Sequence, residues 1–453
     1  MTRPTGEPQA GNSSWGLLAS AAAFLFVLGL DLAYLGLHLP RYGQVDGYYW
    51  GMQDFRDAVY IPCVALRDGV NPYDVAPYMA HFEGRVGNIF PLYSPLLLAL
   101  FFPLSFVPLA AAIWIYHFIN LALLLVCCGL TLRWCGWKCN PTTLLTLGAI
   151  VLASEPARTN LIWGQLSWPL ALGTYLALTF ARQRPAFAGA AIGLASLKPT
   201  YLVTVVWFLL FRGDLKAVAY GIGFTVLGAL VGLALMATCG IDVLEIPRVA
   251  FSNQDALLSD PGNEPATTVA RVDIPVVLGK VFGVGGRSWL NAVAAVAILL
   301  ISGWLVARET RREENRAPDS VATLLICLAS LLSIYHHAYE LVLLTLPGVA
   351  LITGRHPSWS RLAPWMLACL RGGMIVVAIN VLWTGPGVRI AKTIAAFWPP
   401  LQSLATDQLW QLVTSVNSVT ITLMWVVVVV GCLWPRTAAQ AGRVSATRGE
   451  LTV

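Results

Sequence analysis

Asp54 and Asp57 lie three residues apart in the run Gln53-Asp54-Phe55-Arg56-Asp57-Ala58-Val59-Tyr60, a spacing that would put both carboxylates on one face of a helix. The run follows the first long apolar segment of the chain. A carboxyl group at such a boundary is raised in pKa by desolvation and lowered by a neighbouring cation, and either tuning suits acid or base chemistry. The plainer role for one of the two is to solvate an external loop. The spacing leaves open which residue does which.

Further polar residues interrupt apolar stretches where they are costly. Arg158, Asn160 and Gln165 stand between two apolar segments, with Glu155 near enough in sequence to neutralise Arg158; the ion pair and a binding role can coexist. Lys198, between Leu197 and Pro199, has no acidic neighbour in sequence. It either snorkels or offers an ammonium to a phosphate oxyanion. His336, His337 and Glu340 open an apolar segment, with His336 and Glu340 four apart. The pattern of two histidines four apart that binds zinc is missing, so no metal ligand is assigned and the spacing leaves the need for a metal open; the plain role of either imidazole is to pack and hydrogen-bond. Asn71-Pro72-Tyr73-Asp74 reads as a structural turn, and the polar stretch 240–275 as a loop that caps a site or binds an acceptor.

The elements that must hold these groups are membrane helices. Hydrophobic residues make up 57% of the 453, charged residues 11%, and mean hydropathy is +0.68. That composition predicts an all-α polytopic transmembrane protein with about 11–13 membrane helices. Clustered Lys and Arg at Arg133 to Lys138, Arg182 to Arg184, Arg212 to Lys216, Arg308 to Arg316, Arg355 to Arg361 and Arg436 to Arg448 are assigned to the cytoplasm by the positive-inside rule. The net charge of +6 sits in these connectors, which explains it without nucleic acid. Residues 1–14 become a cytoplasmic tail, 15–435 the membrane domain and 436–453 a second cytoplasmic tail. Within the domain, 38–107 forms a long first external loop with short interfacial helices, and 240–275 a second external loop. Pro91 to Phe106 is read as interfacial or re-entrant, and the tip Leu197-Lys198-Pro199-Thr200 as a break between two short legs. The nine cysteines are expected to act as small hydrophobes. With these faces assigned, Asp54, Asp57, Arg158, Asn160, Gln165, Lys198 and Tyr335 to Glu340 all fall on the outer side.

Several of these runs, in their order, resemble glycosyltransferase family 87: Asp54-Phe55-Arg56-Asp57-Ala58-Val59-Tyr60, Gly69-Val70-Asn71-Pro72-Tyr73-Asp74, Tyr93-Ser94-Pro95-Leu96, Asn160 with Gly164-Gln165, Lys198-Pro199, and His337-Ala338-Tyr339-Glu340. The resemblance implies a GT-C fold and an enzyme of the plasma membrane that moves a sugar, mannose by family weight, from a polyprenyl-phosphate donor to a cell-envelope glycolipid or glycan on the extracytoplasmic face. It implies no cofactor beyond the lipid-linked donor, which is a substrate. It assigns the general base to Asp54 or Asp57. His336 or His337 would orient the phosphate or acceptor, and Lys198 and Arg158 would stabilise the leaving phosphate. Asn160, Gln165, Tyr60, Tyr339 and Glu340 complete the expected substrate-binding set, with Glu340 standing where many relatives carry Asp. The rival reading is a multi-pass lipid or solute transporter, which would also account for broken helices and intramembrane charge.

Overall fold

The computed structural model describes residues 14–37, 51–83, 93–249, 264–268, 270–286, 288–380 and 406–434. The tails assigned to 1–14 and 436–453 lie outside the described residues, apart from Ser14. Eighteen α-helices and no strand are found among the described residues, so the protein is an all-α polytopic membrane protein. Trp15–Leu37, Leu109–Trp134, Leu215–Thr238, Trp289–Glu309 and Thr414–Leu433 are each long and apolar enough to cross a bilayer. Seven shorter apolar helices of 10–17 residues stand beside them. Large apolar side chains such as Phe26, Ile150 and Ile352 are more than 60% exposed, as expected where the solvent is lipid.

Proline sets where several helices begin. Those starting at Pro95, Pro141, Pro185, Pro199 and Pro364 carry it at the first position, where the missing N–H costs nothing and φ is already helical. Asn140 adds a side-chain cap, accepting from the Thr143 amide at 2.9 Å. The Pro185–Ala195 and Pro199–Phe211 helices are the two legs expected around Lys198. Their 11 and 13 residues rise only about 16–20 Å, so the tip stops short of a full crossing. Pro95–Phe101 continues as a 3₁₀ turn, Phe102–Phe106, likewise too short to span. It lies against Leu215–Thr238, where the backbone of Pro95 occupies the space a Cβ on Gly232 would need.

The basic connectors meet at one end of the bundle. Asp214, fully buried, accepts from Arg316 at 2.9 Å and lies beside Arg212 at 2.9 Å and Arg182 at 3.7 Å; Arg361 pairs with Glu309 at 2.9 Å. Arg316 also donates to the Arg212 carbonyl at 2.7 Å. The stretch from Arg308 to Arg316, readable as a solvated connector, is therefore partly an internal clamp, because a buried carboxylate needs countercharge.

Candidate active site

The site begins at a turn that only glycine allows. The Glu155–Trp163 helix ends at Gly164, whose φ of 73° is left-handed; a Cβ there would lie 2.5 Å from Cβ of Phe55. Glycine lets the two segments touch. The Met52 amide donates to the Ile162 carbonyl at 2.5 Å, and the Gln165 amide to the Asn160 carbonyl at 2.9 Å. Met52 itself is left-handed at φ 55°, a strained conformation that tends to occur at functional sites. So held, Gln165 donates its side-chain amide to Oδ2 of Asp54.

The two aspartates part company here. After Gln53–Phe55 the chain makes a π-helical turn, Arg56–Tyr60, and a wider turn breaks the three-residue register that would have aligned the carboxylates. Asp57 is 1% exposed, and both its oxygens accept from Arg56, at 2.6 and 3.0 Å. Asp54 is half-buried and faces Gln165. Desolvation, reinforced by the Asp57 charge, raises its pKa to about 7 against the opposing Gln165 hydrogen bond and the Lys198 and Arg56 charges. A carboxyl group poised near neutrality is suited to accept a proton.

On the other side stands a chain of charged groups. Lys198 caps its helix at the hairpin tip and is 8% exposed; its Nζ donates to Oε1 of Glu340 at 2.6 Å. The other Glu340 oxygen faces Nδ1 of His336 at 2.9 Å and accepts from the His337 amide at 2.8 Å. The His336 amide donates to Asp273 at 3.3 Å, and Arg271 donates twice to the same Asp273 oxygen, at 2.9 and 3.0 Å. An isolated antiparallel bridge joins Arg271 to His337, so the loop before Ile274–Phe282 is stitched to the segment before Ala338. Arg271 lies 4.6 Å over the Tyr335 ring and Lys198 lies 5.9 Å from it. His337 is pushed down to about 3, first by burial and then by the Lys198 charge, against the pull of Glu340, and is neutral near pH 7.

The structure thus brings Asp54, Gln165, Lys198, His336, His337 and Glu340 to one region, away from the basic connectors. Tyr339 joins them, its ring stacked 5.1 Å from that of His337. Tyr60 instead donates to the Val107 carbonyl at 2.8 Å, an internal tie. Asn160 is fully buried with neither amide atom hydrogen-bonded. Arg158 pairs with Glu155 at 2.7 Å, and no contact recorded among the described residues links it to Lys198. Gln165, expected on the substrate, bonds Asp54. Arg271 and Asp273 were visible only as members of a polar loop; the signal that would have singled them out is an Arg and an Asp two apart beside an apolar helix.

An apolar groove of about 420 Å³ opens between the Pro141–Ala153, Thr345–Thr353 and Pro364–Ile379 helices. It starts at Pro156 and Leu341, next to Glu340, and runs to Trp137 and Thr353 at the basic end.

Comparison with curated proteins returns no match, and comparison with solved structures returns none. The model of glycosyltransferase family 87 matches residues 92–333, which include Gln165, Lys198, Arg271 and Asp273; Asp54 and Glu340 lie outside the match but bond to residues within it. With more than half of its length matched, the chain belongs to glycosyltransferase family 87, a family of GT-C membrane glycosyltransferases.

Proposed function

We propose that this glycosyltransferase moves a sugar from a polyprenyl-phosphate donor to a hydroxyl of an envelope glycolipid or glycan, on the extracytoplasmic face of the plasma membrane, with inversion and with Asp54 as general base. The observation that carries the reading is the Asp54 carboxylate, held by Gln165 within reach of the Lys198 charge and raised to about 7. The carboxylate takes the proton of the acceptor hydroxyl as its oxygen bonds the anomeric carbon. The bond from that carbon to the phosphate oxygen breaks on the opposite face, and polyprenyl phosphate leaves.

Negative charge then grows on the phosphate, and fixed cations in a dry site are most effective where charge develops. Lys198 fills that role, with Arg271, which shares the Tyr335 ring with it, as the second cation. Neutral His337 serves as a hydrogen-bonding group for phosphate or acceptor, while His336 and Glu340 hold Lys198 in place. A donor with a long isoprenoid tail suits a recessed hairpin tip and a lateral apolar groove that begins beside Glu340. The basic clamp at the other end supports an outward-facing site, by the positive-inside rule. Mannose is the family-weighted choice of sugar.

The test is transfer by purified protein in proteoliposomes, offered a panel of labelled polyprenyl-phosphate sugars and an envelope lipid extract. Transfer from at least one donor is expected. Silence with every donor, together with measurable lipid or solute movement, would favour the transporter instead.

A further inference from the structure

A second polar group lies in the apolar part of the bundle, and the transfer chemistry makes no use of it. Asp31, on Trp15–Leu37, is 3% exposed and His117, on Leu109–Trp134, is fully buried; Nε2 of the imidazole is 3.5 Å from Oδ2 of the carboxylate. Neither side chain has a hydrogen bond of ordinary geometry. Ionisable groups at such positions are costly and tend to serve a function. The Leu161 carbonyl, on Glu155–Trp163, faces the same ring, so the imidazole stands among acceptors. Arg158, paired with Glu155, is the other charge that reaches Asp31. The Pro141–Ala153 helix, packed along Trp15–Leu37, presents no titratable side chain.

The placement of His117 gives the pair a purpose. Its neighbour Tyr116 stacks on Phe55 with ring centroids 4.3 Å apart, and Phe55 follows Asp54 in the chain. Leu161 precedes Ile162, whose carbonyl accepts from Met52, and the same helix turn ends in Gly164 and Gln165. Two consecutive residues of one membrane helix therefore face both sides of the hydrogen bond between Gln165 and Asp54. Tyr116 stacks on the segment that bears the carboxylate, and His117 faces Leu161 in the turn before the amide.

We infer that Asp31 and His117 are a positioning pair: by fixing the imidazole against Leu161, they set the turn that presents Gln165 to Asp54. Its effect on rate rests on the reading of Asp54 as base; its effect on the turn does not. A bland alternative is that the pair merely joins two helices.

The experiment uses the full-length protein in nanodiscs and reads hydrogen–deuterium exchange at residues 158–166 together with kcat and donor KM. Replacing both partners by apolar residues strands no charge, so the Asp31→Leu/His117→Leu double variant is expected to fold. In it, exchange of this turn should rise and kcat should fall by about tenfold or more with donor KM little changed, since small misplacements of positioned groups cost rate more than binding. Asp31→Asn keeps an acceptor facing the imidazole and should stay close to wild type in both readouts. Wild-type exchange and wild-type kcat in the double variant would overturn the inference, as would parallel losses in Asp31→Asn. If wild type transfers nothing, faster exchange confined to this turn would still support the pair, and the failure would belong to the proposed reaction.

Discussion

At Asp54 one carboxylate oxygen accepts from Gln165, whereas both oxygens of Asp57 are taken by Arg56. Asp54→Asn should therefore lower kcat by about 10²-fold or more without loss of fold, the usual weight of a general base. Asp57→Asn leaves the Arg56 guanidinium buried against a neutral amide, and its expected effect is a loss of about 3–5 kcal/mol of stability, read by thermal unfolding. The pH dependence has a definite sign. Asp54 works ionised and its pKa is raised to about 7, so kcat/KM should climb as pH passes upward through about 7. Gln165 opposes that rise in pKa, so Gln165→Leu should move the limb to higher pH; an unmoved limb would detach Gln165 from the base. The pair of aspartates was legible in the sequence, but their division of labour was not, because it depends on a π turn that three-residue spacing conceals.

Among the elements, the Gly164 corner and the Lys198 hairpin carry the site, and they differ in how far the sequence disclosed them. Pro199 and the absence of an acidic neighbour marked the hairpin tip. Glu340, which pairs with Lys198, lies 142 residues away and could be reached only through the fold. Gly164 stood inside a motif, yet its close approach to Phe55 has no local signature. Gly164→Ala adds a side chain at a left-handed φ with its Cβ 2.5 Å from Phe55. It should cost at least about 1–3 kcal/mol and lower kcat by moving Gln165, whereas Gly213→Ala, left-handed but with open space around it, should lower stability alone. Comparing turnover at equal folded fraction separates the two.

Over the whole molecule, hydropathy disclosed the class and nearly every apolar helix, because lipid forces backbone hydrogen bonds to close within each segment. Charge in the connectors disclosed which of them share an end, and the Asp214 clamp accounts for that end in contacts. Which polar loops meet depends on helix packing, so Arg271 joined the site only through its bridge to His337. Asp214→Ala would leave Arg212 and Arg316 without their shared carboxylate and should destabilise the protein by about 3–5 kcal/mol. Donor KM should stay unchanged in the folded fraction, since the clamp lies at the far end from Asp54. A raised donor KM there would mean that the two ends are coupled.

The most direct measurement is transfer of labelled sugar from a polyprenyl-phosphate donor by wild type, Asp54→Asn and Asp57→Asn, each in lipid and each compared at equal folded fraction. The account predicts transfer by wild type, near-complete loss in Asp54→Asn, and substantial turnover in whatever Asp57→Asn protein folds. Full activity in Asp54→Asn, or loss confined to Asp57→Asn, would contradict it.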